Sequence, residues 1–377
     1  MGSPQPERSA SESAVKHRAS RAARAAGGGP RGIEGSPRLS SEPSADRLLS
    51  LIESFPRVKV LAVVDLVADE YIVGQISRVS REAPVLILDY DESHIVPGGG
   101  ANAVNNIAAL GGRVFAVGIV GEDSAGRELR SQLGKAKVDL SGVQSVRGFT
   151  TPRKTRILAG GPHSAKQQVV RIDRKTRVPA KRELDLRLNA AIKDLLPEAG
   201  AVMVSDYDYG LVTKELGNSL ARRAASLRKT AVLDSRRSVC DFSGFTSATP
   251  NEPEVEAALG VRIGHDQTTL EKSGRKLLHK LRLRSLLVTR GSDGMALFEH
   301  RRPTRVLPIY GSDQVTDVTG AGDAVISAYT LALGAGASFY EAALLANYAG
   351  GIVVMKRGTA TVSREELQRA VESDRTA

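Results

Sequence analysis

Lys214-Glu-Leu-Gly-Asn-Ser-Leu-Ala-Arg-Arg-Ala-Ala-Ser-Leu227 and, two residues on, Thr230-Ala-Val-Leu233 read as a helix followed by a short β-branched strand. The same pair recurs on either side. A helical stretch from Leu184 to Leu196 precedes Ala201-Val-Met-Val204, and one from Leu270 to Leu283 precedes Ser285-Leu-Leu-Val-Thr289. Val58-Lys-Val-Leu-Ala-Val-Val64 is a further run with the composition of a strand buried on both faces. Strands alternating with helices predict a mostly parallel sheet covered on both sides, an α/β fold of three α/β/α layers. Two segments break the rhythm: about 70–92, with Val85-Leu-Ile-Leu88, and about 153–175, with Gln168-Val-Val-Arg-Ile172, carry short alternating β-prone stretches. They predict a small separate β-sheet, a lid over the crevice at the carboxyl ends of the parallel strands.

A chain of 377 residues, 41% hydrophobic, can bury one large core or two modest ones. Residues 1–46 are rich in Ser, Ala, Arg, Gly and Pro and nearly free of large apolar residues, so burial cannot offset the entropy of ordering them. They are expected to be a disordered tail, with 47–377 as one main domain. The net charge of +11 suits nucleic acid, an anionic surface or small phosphorylated substrates alike. With 4% aromatic residues and no Trp, the stacking platforms of a single-strand binder are missing, so nucleic acid is not an expected partner. The one cysteine, Cys240, excludes an intrachain disulfide and any zinc site with two cysteine ligands, and reads as a small apolar residue. The six histidines show no metal-ligand spacing. No apolar run approaches the roughly 20 residues of a membrane span, and no secretory signal follows Met1. No membrane partner is therefore expected, and a cytoplasmic location is.

The chemistry concentrates in Asp317-Val-Thr-Gly-Ala-Gly-Asp323, which leads into Ala324-Val-Ile-Ser-Ala-Tyr-Thr-Leu-Ala-Leu333, a stretch that reads as a buried helix. Free N–H groups and the positive dipole end at a helix start attract a phosphate or the charge on a transferring phosphoryl group. Gly320 and Gly322 allow close backbone approach, and Asp323 in the first turn is placed to take a proton from an attacking hydroxyl. The alternative is that Asp323 only complements the helix dipole.

The segment resembles the second signature of the PfkB or ribokinase family of carbohydrate kinases, D-T/V-T-G-A-G-D. Pro97-Gly-Gly-Gly-Ala-Asn-Ala-Val-Asn-Asn-Ile-Ala-Ala-Leu-Gly111 resembles the family's first signature, and Thr249-Pro-Asn-Glu-Pro-Glu254 its T-P-N-x-x-E stretch. Ser77-Arg-Val-Ser-Arg-Glu-Ala-Pro-Val85 and Lys356-Arg-Gly-Thr-Ala-Thr-Val362 are similar to segments of the family's D-glycero-D-manno-heptose 7-phosphate kinases, the kinase half of bifunctional ADP-heptose synthesis proteins. The resemblance implies a ribokinase-like fold that uses ATP and Mg²⁺ to phosphorylate the anomeric hydroxyl of a heptose 7-phosphate-like sugar. It also implies a homodimer, paired lid to lid.

Carried over residue by residue, Asp323 is the base, and the amides of Gly320, Ala321 and Gly322 hold developing charge. Asp65, Asp69, Gly99, Gly100 and Asn102 meet the sugar. Asn251 and Glu254 act through metal-bound water. Thr289, Gly291, Thr319, Gly320, Gly322 and Asn347 lie along ATP, with Asn347 near the adenine. Asp317 matches a monovalent-cation position, which adds K⁺ to the implied cofactors. Arg78, Lys154, Arg156 and Arg171, all in the lid segments, are candidates for the phosphate that the substrate already carries, because guanidinium pairs bidentately with phosphate oxygens.

Three departures bear on the substrate: Val64 replaces the family's Gly before Asp65, Tyr209 replaces a Lys, and Asp234-Ser-Arg-Arg237 replaces D-P-K-G. The nucleotidyltransferase half, with its H-x-G-H motif, has no counterpart in these residues, so the reaction is expected to stop at the phosphorylated sugar. Two readings remain beside the heptose kinase. One is a kinase of an unphosphorylated sugar or nucleoside, and the other is a catalytically silent sugar-phosphate sensor.

Overall fold

Val60, Ala62 and Val64 project from one face of strand β1 (Lys59–Val64) and Leu61 and Val63 from the other, and all five are buried. A strand covered on both sides belongs at the centre of a layered sheet. In the computed structural model, which describes residues 42–161, 164, 166–237, 239–311 and 316–374, β1 is an inner strand of a nine-stranded sheet. The chain runs from α1 (Ala45–Ser54) through β1, β2 (Leu66–Val79), β3 (Leu86–Gly99), α2 (Gly100–Ala109), β4 (Arg113–Gly121), α3 (Ser124–Lys135) and β5 (Asp139–Val146). It continues with β6 (Arg153–Gly160), β7 (Gln167–Arg174), α4 (Arg182–Leu195), β8 (Ala201–Asp206), α5 (Lys214–Ser226), β9 (Thr230–Ser235), β10 (Ser247–Ala248) and α6 (Glu252–Leu259). It closes with α7 (Gln267–Lys280), β11 (Ser285–Thr289), β12 (Met295–Glu299), β13 (Arg305–Leu307), α8 (Ala321–Gly334), α9 (Phe339–Val354) and α10 (Arg364–Asp374).

The sheet order is β13-β12-β11-β10-β9-β8-β1-β4-β5, parallel apart from the antiparallel edge made by β12 and β13. Val60, Ala62 and Val64 pack with α1, α2, α3, α8, α9 and α10. Leu61 and Val63 pack with α4, α5, α6 and α7. The expected three layers are therefore present, and the predicted helices before β8, β9 and β11 stand within a few residues of their expected ends. Each fully buried Leu or Val contributes about 1.5–3 kcal/mol, so the two apolar layers dominate the fold's stabilisation.

The expected tail, residues 1–46, lies outside the described residues up to 41. Its anticipated boundary falls inside the first turn of α1, where Ser44 accepts a bond from the Arg47 amide and Leu48, Leu51 and Ile52 pack into the core. Short apolar helices of this kind are hidden from a composition argument because the apolar residues begin only at Leu48.

The two segments that broke the rhythm form a second sheet, ordered β3-β2-β6-β7. Only Asp65 separates β1 from β2, and α2 starts at the residue after β3. The base of the small sheet is thus fixed over the carboxyl ends of β1, β8 and β9. Gly98, Gly99 and Gly100 make that junction possible. A Cβ at Gly98 would lie 2.4 Å from Asp69 Cγ, and one at Gly100 2.7 Å from Val64 Cβ. Pairing also sorts the faces: Tyr71 stands opposite Arg156 and Arg156 opposite Arg171, while Ile157 stands opposite both Ile72 and Val170 on the other side.

Candidate active site

Gly320 caps α8 in the left-handed region, with φ 83°, and a Cβ there would also come within 2.7 Å of Asn102 Nδ2. Glycine serves two ends: it lets the chain turn sharply into the helix, and it lets Asn102 reach past it to the first turn. There Asn102 Nδ2 donates to Asp323 Oδ2 at 2.9 Å, and the Tyr207 hydroxyl donates to Asp323 Oδ1 at 2.6 Å. Asp323 is 4% exposed. Burial pushes its carboxyl up to about 6, against the opposing pull of the Tyr207 and Asn102 bonds and of the Lys154 and Arg236 charges. A carboxylate that titrates near neutrality, held by two donors at a helix start, can accept a proton from a bound hydroxyl at physiological pH.

Asp323 opens onto a cleft of about 660 Å³ between the two sheets. The small sheet contributes Asp69, Lys154, Arg156 and Arg171. Arg156 Nη1 lies 3.0 Å from Asp69 Oδ1, and the Thr359 hydroxyl donates to Asp69 Oδ2 at 2.6 Å. Lys154 Nζ stands 4.8 Å from the centre of the Tyr207 ring and Arg236 Cζ 4.1 Å from it, so Tyr207 carries two cations against its ring. Burial, with the nearby Arg236 charge, brings Lys154 down to about 8. This end of the cleft is strongly electropositive and suited to a phosphate.

The opposite wall comes from the ends of β9 and β11 and the start of α6: Asp234, Thr249, Asn251, Glu254 and Thr289. Asn251 and Glu254 form a reciprocal cap on α6, Asn251 Oδ1 accepting from the Glu254 amide at 2.8 Å and Glu254 Oε2 from the Asn251 amide at 2.9 Å. Burial raises Glu254 to about 7, and burial together with the Glu254 charge pushes Asp234 well above the carboxylate range. Two carboxyls forced toward protonation in the same cleft suit a divalent cation, which would relieve both costs. Among the described residues no three acidic, His or Cys side chains gather round one point. Mg²⁺ takes one or two carboxylates and fills its shell with water and phosphate oxygens, so Glu254 and Asp234 are the residues that would hold it.

The remaining expected residues are placed as follows. Thr319, Gly320, Gly322, Gly99 and Thr289 line the cleft, and Ala321 lies between two of them in the first turn of α8. Asp65 does not line it. Its Oδ2 accepts from the Tyr207 amide at 2.8 Å and the Tyr209 amide at 3.2 Å, so it shapes the loop that presents Tyr207. Gly100 packs under Asp65 and Val64. Arg78 is exposed nine residues beyond Asp69 on β2, which at strand rise is about 30 Å away, and does not reach the cleft. Gly291 and Asn347 lie off the lining, Asn347 donating to the Pro308 carbonyl at 2.8 Å. Asp317 gives Oδ1 to the Thr319 amide and Oδ2 to the Gly358 amide, which ties two loops together and leaves neither oxygen without a donor.

Tyr207, Asp234 and Thr359 line the cleft without having been singled out as site residues, and Arg236 lines it where the sequence marked a departure from the resembled motif that could restore the charge absent at Tyr209. Tyr207 and Arg236 follow β8 and β9, and Asp234 is the penultimate residue of β9, at the carboxyl ends where parallel sheets place ligand contacts, and that rule would have flagged them. For Thr359 the sequence carries no such signal.

The pfkB family carbohydrate kinase profile matches residues 62–366. The chain is 38% identical over 323 residues to the bifunctional protein HldE of Desulfatibacillum aliphaticivorans, covering 85% of this chain and 64% of that protein. It is 37% identical over 311 residues to HldE of Geobacter metallireducens, covering 82% and 62%. The chain thus spans less than two thirds of the curated relatives it matches. Arabidopsis thaliana ribokinase, solved with ribose and ATP, superposes with a TM-score of 0.66 at 21% identity over 84% of this chain and 99% of its own. Phosphofructokinase-2 from Escherichia coli, solved with substrates and products, gives 0.66 at 18% over 84% and 99%. At these identities the likeness is one of fold. No helix among the described residues is long and apolar enough to cross a membrane.

Proposed function

The chain belongs to the pfkB family of carbohydrate kinases, and from that premise we propose that it transfers the γ-phosphoryl group of ATP to the anomeric hydroxyl of a heptose 7-phosphate-like sugar. The observation that carries the substrate class is the single cleft that holds Asp323 at one point and Lys154, Arg156, Arg171, Arg236 and Arg237 around it. Lys154, Arg156 and Arg171 come from the small sheet, across the cleft from the Asn251, Glu254 and Thr289 wall expected along ATP, which is the side a phosphate on the sugar would occupy. The sugar hydroxyl lies against Asp323, which takes its proton as the hydroxyl oxygen bonds to the γ-phosphorus and the bond from that phosphorus to the β,γ-bridging oxygen breaks, releasing ADP. The amides of Gly320 to Gly322 and the dipole of α8 face the transferring group and stabilise its charge. Mg²⁺, held through Glu254 and Asp234, would neutralise nucleotide phosphate charge. Asp69, fixed by Arg156 and Thr359, is oriented to accept from a sugar hydroxyl.

Coupled ADP release over matched pairs of heptose, hexose and pentose with and without a terminal phosphate tests the substrate. The phosphorylated member of the best pair should be preferred by at least tenfold in kcat/KM, as expected when even one charge-assisted hydrogen bond worth 1.5 kcal/mol or more is absent from its partner. Equal values for a sugar and its phosphate would overturn the proposal in favour of an unphosphorylated sugar or nucleoside.

We infer a homodimer joined through the outer face of the small sheet. On that face Val170 is 49% and Ile172 54% exposed, beside Ile72 and Ile157. A second copy of the same sheet would cover this apolar row by an isologous contact. Sedimentation velocity should give a dimer for the wild type and a monomer for the Val170→Lys, Ile172→Asp double variant. A wild-type monomer at micromolar concentration sinks the inference.

A further inference from the structure

Asp323 is not held by its own helix. Its two oxygens are bonded by side chains from elsewhere, Asn102 on α2 and Tyr207 in the loop after β8. Tyr207 is itself fixed at three points. Its amide is bonded to Asp65, Lys154 from β6 stands against its ring, and Arg236 from the end of β9 stands against it at 4.1 Å. Arg236 occupies the place where the resembled motif has Lys, so a guanidinium against the ring belongs to this chain's own sequence. Burial and the Asp323 charge push the Tyr207 phenol well above its ordinary range, so it remains a neutral donor.

We propose that Tyr207 is the positioning residue of the kinase base, donating through its hydroxyl to Asp323 Oδ1 so that the carboxylate stays ionised and presents its free lone pairs to the substrate hydroxyl. This rests on the kinase reading of the same cleft. The hydrogen bond favours the charged form of a buried carboxyl, and against burial it is the largest opposing influence on Asp323. The other charged groups facing Asp323 are Lys154 and Arg236, which also favour the ionised form, and Asp234, which opposes it. A phenol suits the task because two cations against its ring strengthen the O–H as a donor without giving up the proton.

Two substitutions with opposite expected signs test it. In Tyr207→Phe the acid limb of the kcat/KM profile should move up by about one pH unit, so that activity lost at neutral pH largely returns at pH well above the new limb. 3-Fluorotyrosine placed at 207, a stronger donor of the same shape, should move the limb down. A merely structural role predicts an equal loss at every pH and no shift in either direction, and that result overturns the proposal. A second measurement needs no turnover: the pH dependence of the Tm difference between wild type and Tyr207→Phe should disappear in an Asp323→Asn background. If no sugar phosphate is turned over but this coupling is present, the kinase reading has failed and the Tyr207–Asp323 pairing stands. If turnover is normal and the coupling absent, the reverse holds.

Discussion

Asp323→Asn is expected to lower kcat/KM by about 10²–10⁴, the usual range for loss of a general base, while ATP still binds. The change keeps the shape of the side chain. Its amide can accept from Asn102 and donate to Tyr207, whose hydroxyl turns from donor to acceptor, so the first turn of α8 is preserved. Stability should move the other way. The folded-state pKa of about 6 lies above the ordinary value of 3.8, so the folded protein takes up a proton between about pH 4 and 6 and gains stability as pH falls through that window. Above pH 6 the ionised carboxylate is a cost, on the order of 3 kcal/mol for two pKa units, and Asn removes it. The variant should therefore melt higher at pH 7 and lose that advantage below pH 4. If Asp323 only complemented the helix dipole, activity would be largely kept and stability would fall by under about 1 kcal/mol. Measuring kcat/KM, nucleotide affinity and Tm on one preparation separates these outcomes, and near-normal turnover defeats the mechanism.

Arg156→Ala should be nearly as damaging, for two separable reasons. Arg156 and Asp69 are both buried and 3.0 Å apart, so removing the guanidinium leaves a buried carboxylate with only the Thr359 hydroxyl bond and the more distant Lys154 charge to support it among the described residues. One-sided removal of a buried pair costs roughly 3 kcal/mol at the low end of its range, and the melting temperature should drop by several degrees. The lost phosphate contact should lower kcat/KM for a phosphorylated sugar by about 10- to 150-fold, corresponding to 1.5–3 kcal/mol. Arg171 is the control. It is exposed and, among the described residues, ion-paired only with Asp173 two residues along β7, so Arg171→Ala should weaken the phosphorylated substrate with little change in Tm. Equal losses on a sugar and its phosphate in Arg156→Ala would remove Arg156 from the phosphate site and leave it a support for Asp69.

The cationic end of the cleft explains why the departures from the resembled motifs need not remove phosphate recognition. Tyr209 stands where the resembled motif has a Lys and is buried, with its amide on Asp65. Arg236 and Arg237 bring guanidinium groups to the cleft from the end of β9. Positive charge is thereby supplied by a neighbouring strand end, and Arg236 also stands against Tyr207.

The order of helices and strands was legible in the chain because burial on one or two faces imposes a period on the apolar residues, and β1, β8, β9 and β11 carry that period locally. The head of α8 was legible for the same reason: Gly320, Gly322 and Asp323 sit within four residues, so one local motif contains the turn, the anion-attracting amides and the carboxylate. What reaches that carboxylate was not. Tyr207 is 116 residues from Asp323, Asn102 is 221 away, and Thr359 meets Asp69 across 290. Those pairs exist because parallel strands deliver their carboxyl ends to one edge of the sheet, whatever their separation in the chain. The same tertiary geometry turned Asp65 toward the Tyr207 loop and left Arg78 far along β2, although both carried the right chemistry in sequence. Residue type and local period determined which groups this protein possesses, while the crossing of two sheets decided which of them share a cleft.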